Sequence, residues 1–119
     1  MSTHEQINAT FRHVAPSDEL MTHIRREGEH LRAQHPGLGA IDTTLERIGR
    51  RGRKGRLFGA RVELNLPGHR LVAKARAEDP YDALQRAFRT IERSARERVE
   101  RSHRTRLRSR ISLRRFAPA

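Results

Sequence analysis

The sequence predicts an α+β domain of order β-α-β-β-β-α. It should form a two-layer sandwich, with two helices on one face of a four-stranded, mostly antiparallel sheet. Three observations predict this. Residues 58–77 alternate apolar and polar side chains in two short runs about a turn, and the spacing then becomes helical through Arg93. Near the N-terminus a short alternating run precedes a capped helical stretch. Each alternating run has a single apolar face, so both helices should cover the same side of one sheet.

Strand one is expected at about Ile7–Arg12 and helix one from Ser17 to about Gln34. Ser17 is a good N-cap, and Asp18 and Glu19 follow at the positive end of the helix dipole. Leu20, Ile24 and Leu31 make the apolar face, with Met21 at one edge. Gly28 weakens this helix but permits close packing, and Pro36-Gly37-x-Gly39 ends it. Strand two, about Ile41–Ile48, sets Ile41, Thr43 and Leu45 against Asp42, Thr44 and Glu46. In strand three Ala60, Val62, Leu64 and Leu66 alternate with Arg61, Glu63 and Asn65. Pro67-Gly68-His69 makes the turn. Strand four puts Leu71, Ala73, Ala75 and Ala77 opposite Arg70, Lys74 and Arg76. Asp79 then stands at an N-cap position, and Pro80 opens helix two where its missing N–H costs nothing.

The chain has 119 residues, enough for one domain with a modest core. That domain is expected over 1–103, followed by a basic, flexible C-terminal tail over 104–119. With no cysteine there is no disulfide framework and no thiolate zinc site. No apolar signal region or run of transmembrane length is present, which predicts a soluble cytoplasmic protein with no membrane partner. The 26 basic and 14 acidic residues give a formal charge of +12, which argues for a polyanionic partner. All but Lys54 and Lys74 of the basic residues are arginine, a bias that a GC-rich genome would also produce. One tyrosine and four phenylalanines are too few for stacking single-stranded bases, so backbone and shape recognition is favoured.

Helix two carries the clearest candidate surface. Leu84, Phe88, Ile91 and Ala95 form its buried stripe, and Arg86, Arg89, Arg93 and Arg96 fall opposite. Those four guanidinium groups lie along roughly 15 Å of helix and suit a phosphate backbone. An ordinary solvated face is the competing reading, since Glu92, Glu97 and Glu100 are placed to mute the field. Helix one adds His23, Arg26 and His30 along one outward line. A zinc site is excluded there, because His23 and His30 stand two turns, about 10 Å, apart. Lys74 and Arg76 are the further RNA candidates on the sheet, where mixed charges otherwise read as cross-strand pairs. Arg53 and Lys54 lie in Gly49–Arg56, a segment of three glycines and five basic residues. It lacks the Gly-Lys-Ser/Thr of a phosphate loop, leaving a basic arm that orders on RNA or a plain hairpin loop.

Several stretches together resemble the ribosome hibernation-promoting factor and ribosome-associated translation inhibitor family. They are Ile7-x-Ala9, then Val14, Ser17 and Leu20, then Asn65-x-Pro67 and Leu71-Val72-Ala73. Glu78-Asp79-x-Tyr81-x-Ala83-Leu84 and Ile91-Glu92-Arg93 complete the set. The resemblance covers about residues 6 to 100 and corresponds to a short member without the C-terminal dimerisation domain. It implies a fold shaped like a double-stranded-RNA-binding domain. It also implies a non-enzymatic protein that docks on the small ribosomal subunit, over the messenger and transfer RNA (A and P) sites, in stationary phase or stress. Its partners would be 16S ribosomal RNA and the 70S ribosome, with a monomer off the ribosome and no cofactor or small-molecule substrate. The Gly49–Arg56 segment is longer and more basic than the family's, and the tail is basic where the inhibitor branch ends acidic.

Two rival functions follow from the residues alone. One is a general binder of structured RNA or DNA with the same shape. The other is a ribonuclease using His13, His69 or His103 as acid and base, although no spacing brings those histidines together.

Overall fold

In a computed structural model of the protein, residues 6–48 and 57–116 are described, with side chains described through residue 99. The order is β1 (Ile7–Arg12), α1 (Asp18–Gln34), β2 (Ile41–Arg47), β3 (Phe58–Leu66), β4 (His69–Ala77) and α2 (Pro80–Phe116). The strands form one sheet in the order β1-β2-β3-β4. β1 and β2 are parallel, and the other two pairings are antiparallel. The predicted architecture is the one observed.

Local chemistry explains most boundaries. The Ser17 hydroxyl accepts from the Leu20 N–H at 3.1 Å and caps α1. Asp79 does the same for α2, its carboxylate accepting from the Tyr81 N–H at 2.8 Å. Gly68, after Pro67, has a φ of +69°, the left-handed value a type II turn requires of its third residue. The loop after α1 is clamped by Arg32, whose guanidinium donates to the carbonyls of Leu38 (2.8 Å) and Gly39 (2.7 Å). Asn65 fixes the same loop to β3, accepting from the Gly39 N–H at 2.7 Å and donating to the Ala40 carbonyl through Nδ2 at 3.0 Å.

Register aligns the core. Ile7, Ile41, Leu64 and Leu71 stand side by side across all four strands. Leu20, Ile24 and Leu31 of α1 and Leu84, Phe88 and Ile91 of α2 pack on that face in one apolar cluster. Both helices therefore cover the same side and leave the other side of the sheet open. Gly28 brings α1 against β1: a Cβ there would stand 3.0 Å from Ile7 Cδ1.

One extent differs from expectation. α2 continues to Phe116, through most of the segment predicted as a flexible tail. Among the described side chains its last buried one is Ala95, and Val99 is already 55% exposed. No glycine or proline occurs from Tyr81 to Ala117, so the backbone meets no breaker where the apolar stripe ends.

Candidate nucleic-acid interface

Four of the predicted residues form a single surface. Arg86, Arg89, Arg93 and Arg96 are all exposed on the solvent side of α2, opposite the buried stripe. They differ in availability. Arg96 pairs with Glu92 at 3.7 Å, and Arg86 leans over the β4 edge to the Arg76 carbonyl at 3.4 Å. Arg89 and Arg93 have no ion-pair or hydrogen-bond partner among the described residues. They are the stripe's freest cations.

α1 and α2 run side by side in the same direction. Glu27, His30 and Leu31 face Phe88, Arg89 and Glu92 across a shallow groove of about 160 Å³. His30 thus joins the α2 stripe at Arg89, and Arg26 is exposed nearby on α1. His23 does not point freely outward. Its ring packs edge-on against Tyr81, 5.4 Å between centroids at 89°, and its Nε2 is buried with no hydrogen-bond partner among the described residues.

Tyr81 is a participant that the sequence reading missed as anything beyond a motif position. Its hydroxyl donates to Glu19 Oε2 at 3.4 Å, tying the starts of the two helices together. The phenol titrates above its usual 10.0, first through desolvation and then through the negative charges of Glu19 and Asp79. Glu19, Asp18, Asp79 and Asp82 make the helix N-termini an acidic end, so the arginines dominate only from the middle of the helical face onward.

Lys74 and Arg76 lie on the other side of the molecule, on the open face of the sheet. There the register sets Arg12, Glu46, Gly59 and Arg76 in one row, and Thr10, Thr44, Arg61 and Lys74 in the next. A cleft of about 430 Å³ lies over these rows. The acids at the far end of the face are already engaged. Asp42 accepts from Asn8 (2.8 Å) and Asn65 (3.4 Å), while Glu63 pairs with Arg61 (3.1 Å) and Arg70 (3.7 Å). General cross-strand pairing, expected for this face, therefore holds at one end only. Arg53 and Lys54 lie outside the described residues. The ends of their segment meet where the Ile48 N–H donates to the Leu57 carbonyl at 2.7 Å.

Among the described residues no pair of histidines is assembled for acid–base chemistry; the His103 side chain lies outside them. His13 follows β1 at the Arg12–Arg76 end, and His69 opens β4 at the other end. Seven residues of strand, roughly 23 Å, separate the Arg12–Arg76 row from His69. Among the described residues, no three His, Cys, Asp or Glu side chains are grouped to hold a metal ion. No described helix is long and apolar enough to cross a membrane.

Comparison with known proteins agrees with this architecture. The profile of the family described as sigma 54 modulation protein / S30EA ribosomal protein matches residues 7–103. Among solved structures, a ribosomal subunit interface protein from Coxiella burnetii superposes with a TM-score of 0.68 at 16% identity. That match covers 79% of this chain and 97% of the other. The N-terminal domain of Thermus thermophilus Protein Y gives a TM-score of 0.59 at 17% identity, covering 73% and 90%. At these identities the structural likeness speaks for the fold. No curated protein matches the sequence.

Proposed function

Since the chain belongs to the sigma 54 modulation protein / S30EA ribosomal protein family, whose members are ribosome-associated modulation factors and not enzymes, we propose that it silences translation by occupying the small ribosomal subunit. It would bind 16S ribosomal RNA over the messenger and transfer RNA sites, on free subunits and 70S ribosomes, in stationary phase or stress. Residues 1–103 would form the ribosome-binding domain and residues 104–119 a basic extension. The protein would be monomeric off the ribosome and would act in the cytoplasm.

The observation that carries this reading is the exposed run Arg86, Arg89, Arg93 and Arg96 on a rigid helix, in a chain of charge +12. Arginine along a helix neutralises phosphates without reading bases, and a two-layer body supplies the bulk that excludes competing ligands. Arg26 and His30, beside the stripe, extend the same basic surface, and Lys74 and Arg76 add cations on the open face of the sheet. His23 would contribute by packing on Tyr81, which ties the starts of the two helices together.

The test is sedimentation of the purified protein with 30S subunits, 50S subunits and bare duplex RNA at physiological salt. Saturable binding near one copy per 30S subunit is expected. Replacing Arg89 and Arg93 together by Gln should weaken it about tenfold and lower the salt slope by about two, one per lost phosphate contact. Equal, unsaturable binding to all three would reduce the protein to a general basic binder.

A further inference from the structure

We infer that the Arg12–Arg76 end of the open sheet face is a second site for an RNA sugar–phosphate backbone, so that one molecule holds two RNA segments, one on each face. This rests on the ribosomal reading only in taking RNA as the partner.

The cleft over that end is lined by Arg12, Arg61, Lys74 and Arg76, with Glu46 as the sole acid. Arg61 is paired to Glu63 at 3.1 Å. Arg12, Lys74 and the Arg76 side chain have no carboxylate partner among the described residues. Arg61 and Lys74 are directly opposed across β3 and β4. Like charges in that position destabilise a sheet, and a bound anion relieves the repulsion. An ordinary solvated sheet face would spread its acids among its bases. Here Asp42 and Glu63 are both engaged at the far end, which leaves this end cationic.

The layout suits a backbone better than a single phosphate group. Arg12 and Arg76 are three strand spacings apart, roughly 14 Å, and Lys74 and Arg76 are about 7 Å apart along β4. Cations spread over that span meet successive phosphates of a chain. Gly59 keeps the centre of the row low. A Cβ there would stand 2.6 Å from Ile48 Cδ1, so Ile48 lies across the glycine as an apolar floor suited to a ribose. The Thr44 hydroxyl adds a neutral hydrogen-bonding group. The site and the α2 stripe sit on opposite layers of the sandwich, and no single straight duplex reaches both.

The experiment uses the full chain and two 16-base-pair RNA duplexes, one carrying a donor dye and the other an acceptor. Wild type at half the duplex concentration should bring the dyes together. The Lys74→Gln/Arg76→Gln variant should bind one duplex and lose bridging by tenfold or more, as should Arg12→Gln/Lys74→Gln. Arg89→Gln/Arg93→Gln should lose bridging from the other face. Arg25→Gln/Arg98→Gln, which removes the same charge elsewhere, should keep it. Unchanged bridging in both sheet-face variants, or equal loss in the charge-matched control, would overturn the second site. Wild type that bridges duplexes yet fails to sediment with 30S subunits would instead overturn the ribosomal reading and leave this site standing.

Discussion

At the scale of single residues, the sequence signature maps onto structural clamps as much as onto RNA contacts. Asn65 ties β3 to the loop after α1, and Asp79 caps α2. Asp79→Ala should cost about 1 kcal/mol, the usual value of an N-cap, measured by urea denaturation. Leu64→Ala, which empties a fully buried position between β2 and β4, should cost about 2–5 kcal/mol. Tyr81 offers a titration free of overlap, because it is the only tyrosine and there is no tryptophan. Its phenol is held protonated by desolvation and by Glu19, so its ultraviolet titration should have a midpoint above 10.0. Glu19→Gln should bring that midpoint down part of the way. The sign for stability follows: a raised phenol value adds stability that is intact below the unfolded value near 10.0. That stability disappears as pH climbs through the folded value.

At the scale of elements, α2 separates what builds the fold from what touches a partner. Among the described side chains its stripe is buried as far as Ala95, and the helix runs on to Phe116. Apolar periodicity reports burial. The apolar period fades after about Arg101 while the backbone remains helical, so the sequence reading ended the helix there. Deleting residues 101–119 should therefore shift the thermal midpoint by no more than a few degrees. It removes seven arginines and no acid, and duplex RNA affinity should fall. A midpoint lowered by ten degrees or more would show that the extension packs on the body. The strands carry the converse lesson. Alternation identified all four, but a parallel β1–β2 pair beside antiparallel neighbours is set by the crossover through α1.

For the whole molecule, a charge of +12 reveals a partner class without revealing a surface. Folding splits the cations between an arginine stripe on the helical layer and a cluster at one end of the open sheet. Asp18, Glu19, Asp79 and Asp82 make the helix N-termini acidic, and Asp42 and Glu63 mark the far end of the sheet. The salt dependence of total duplex binding should reflect both cationic surfaces. Lys74→Gln/Arg76→Gln should lower the log–log slope by roughly 1.8, measured by anisotropy from 50 to 200 mM salt. An unchanged slope would leave the sheet face without phosphate contacts.

The sequence by itself determined what depends on neighbours along the chain. It placed the strands, both N-caps, the Pro67-Gly68 turn and the Arg86–Arg96 stripe, because a period, a cap and a turn each need only a few adjacent residues. The tertiary structure alone decided what depends on strand order and register. Pairing β3 with β2 and β4 set Lys74 beside Arg61, placed Gly59 between Glu46 and Arg76, and gave Glu63 to Arg61 and Arg70. The packing of α1 beside α2 brought Tyr81 against His23 and Glu19, about sixty residues away in the chain. Alternation assigns a side chain to a face of the sheet; its neighbours on that face are fixed only when the strands pair.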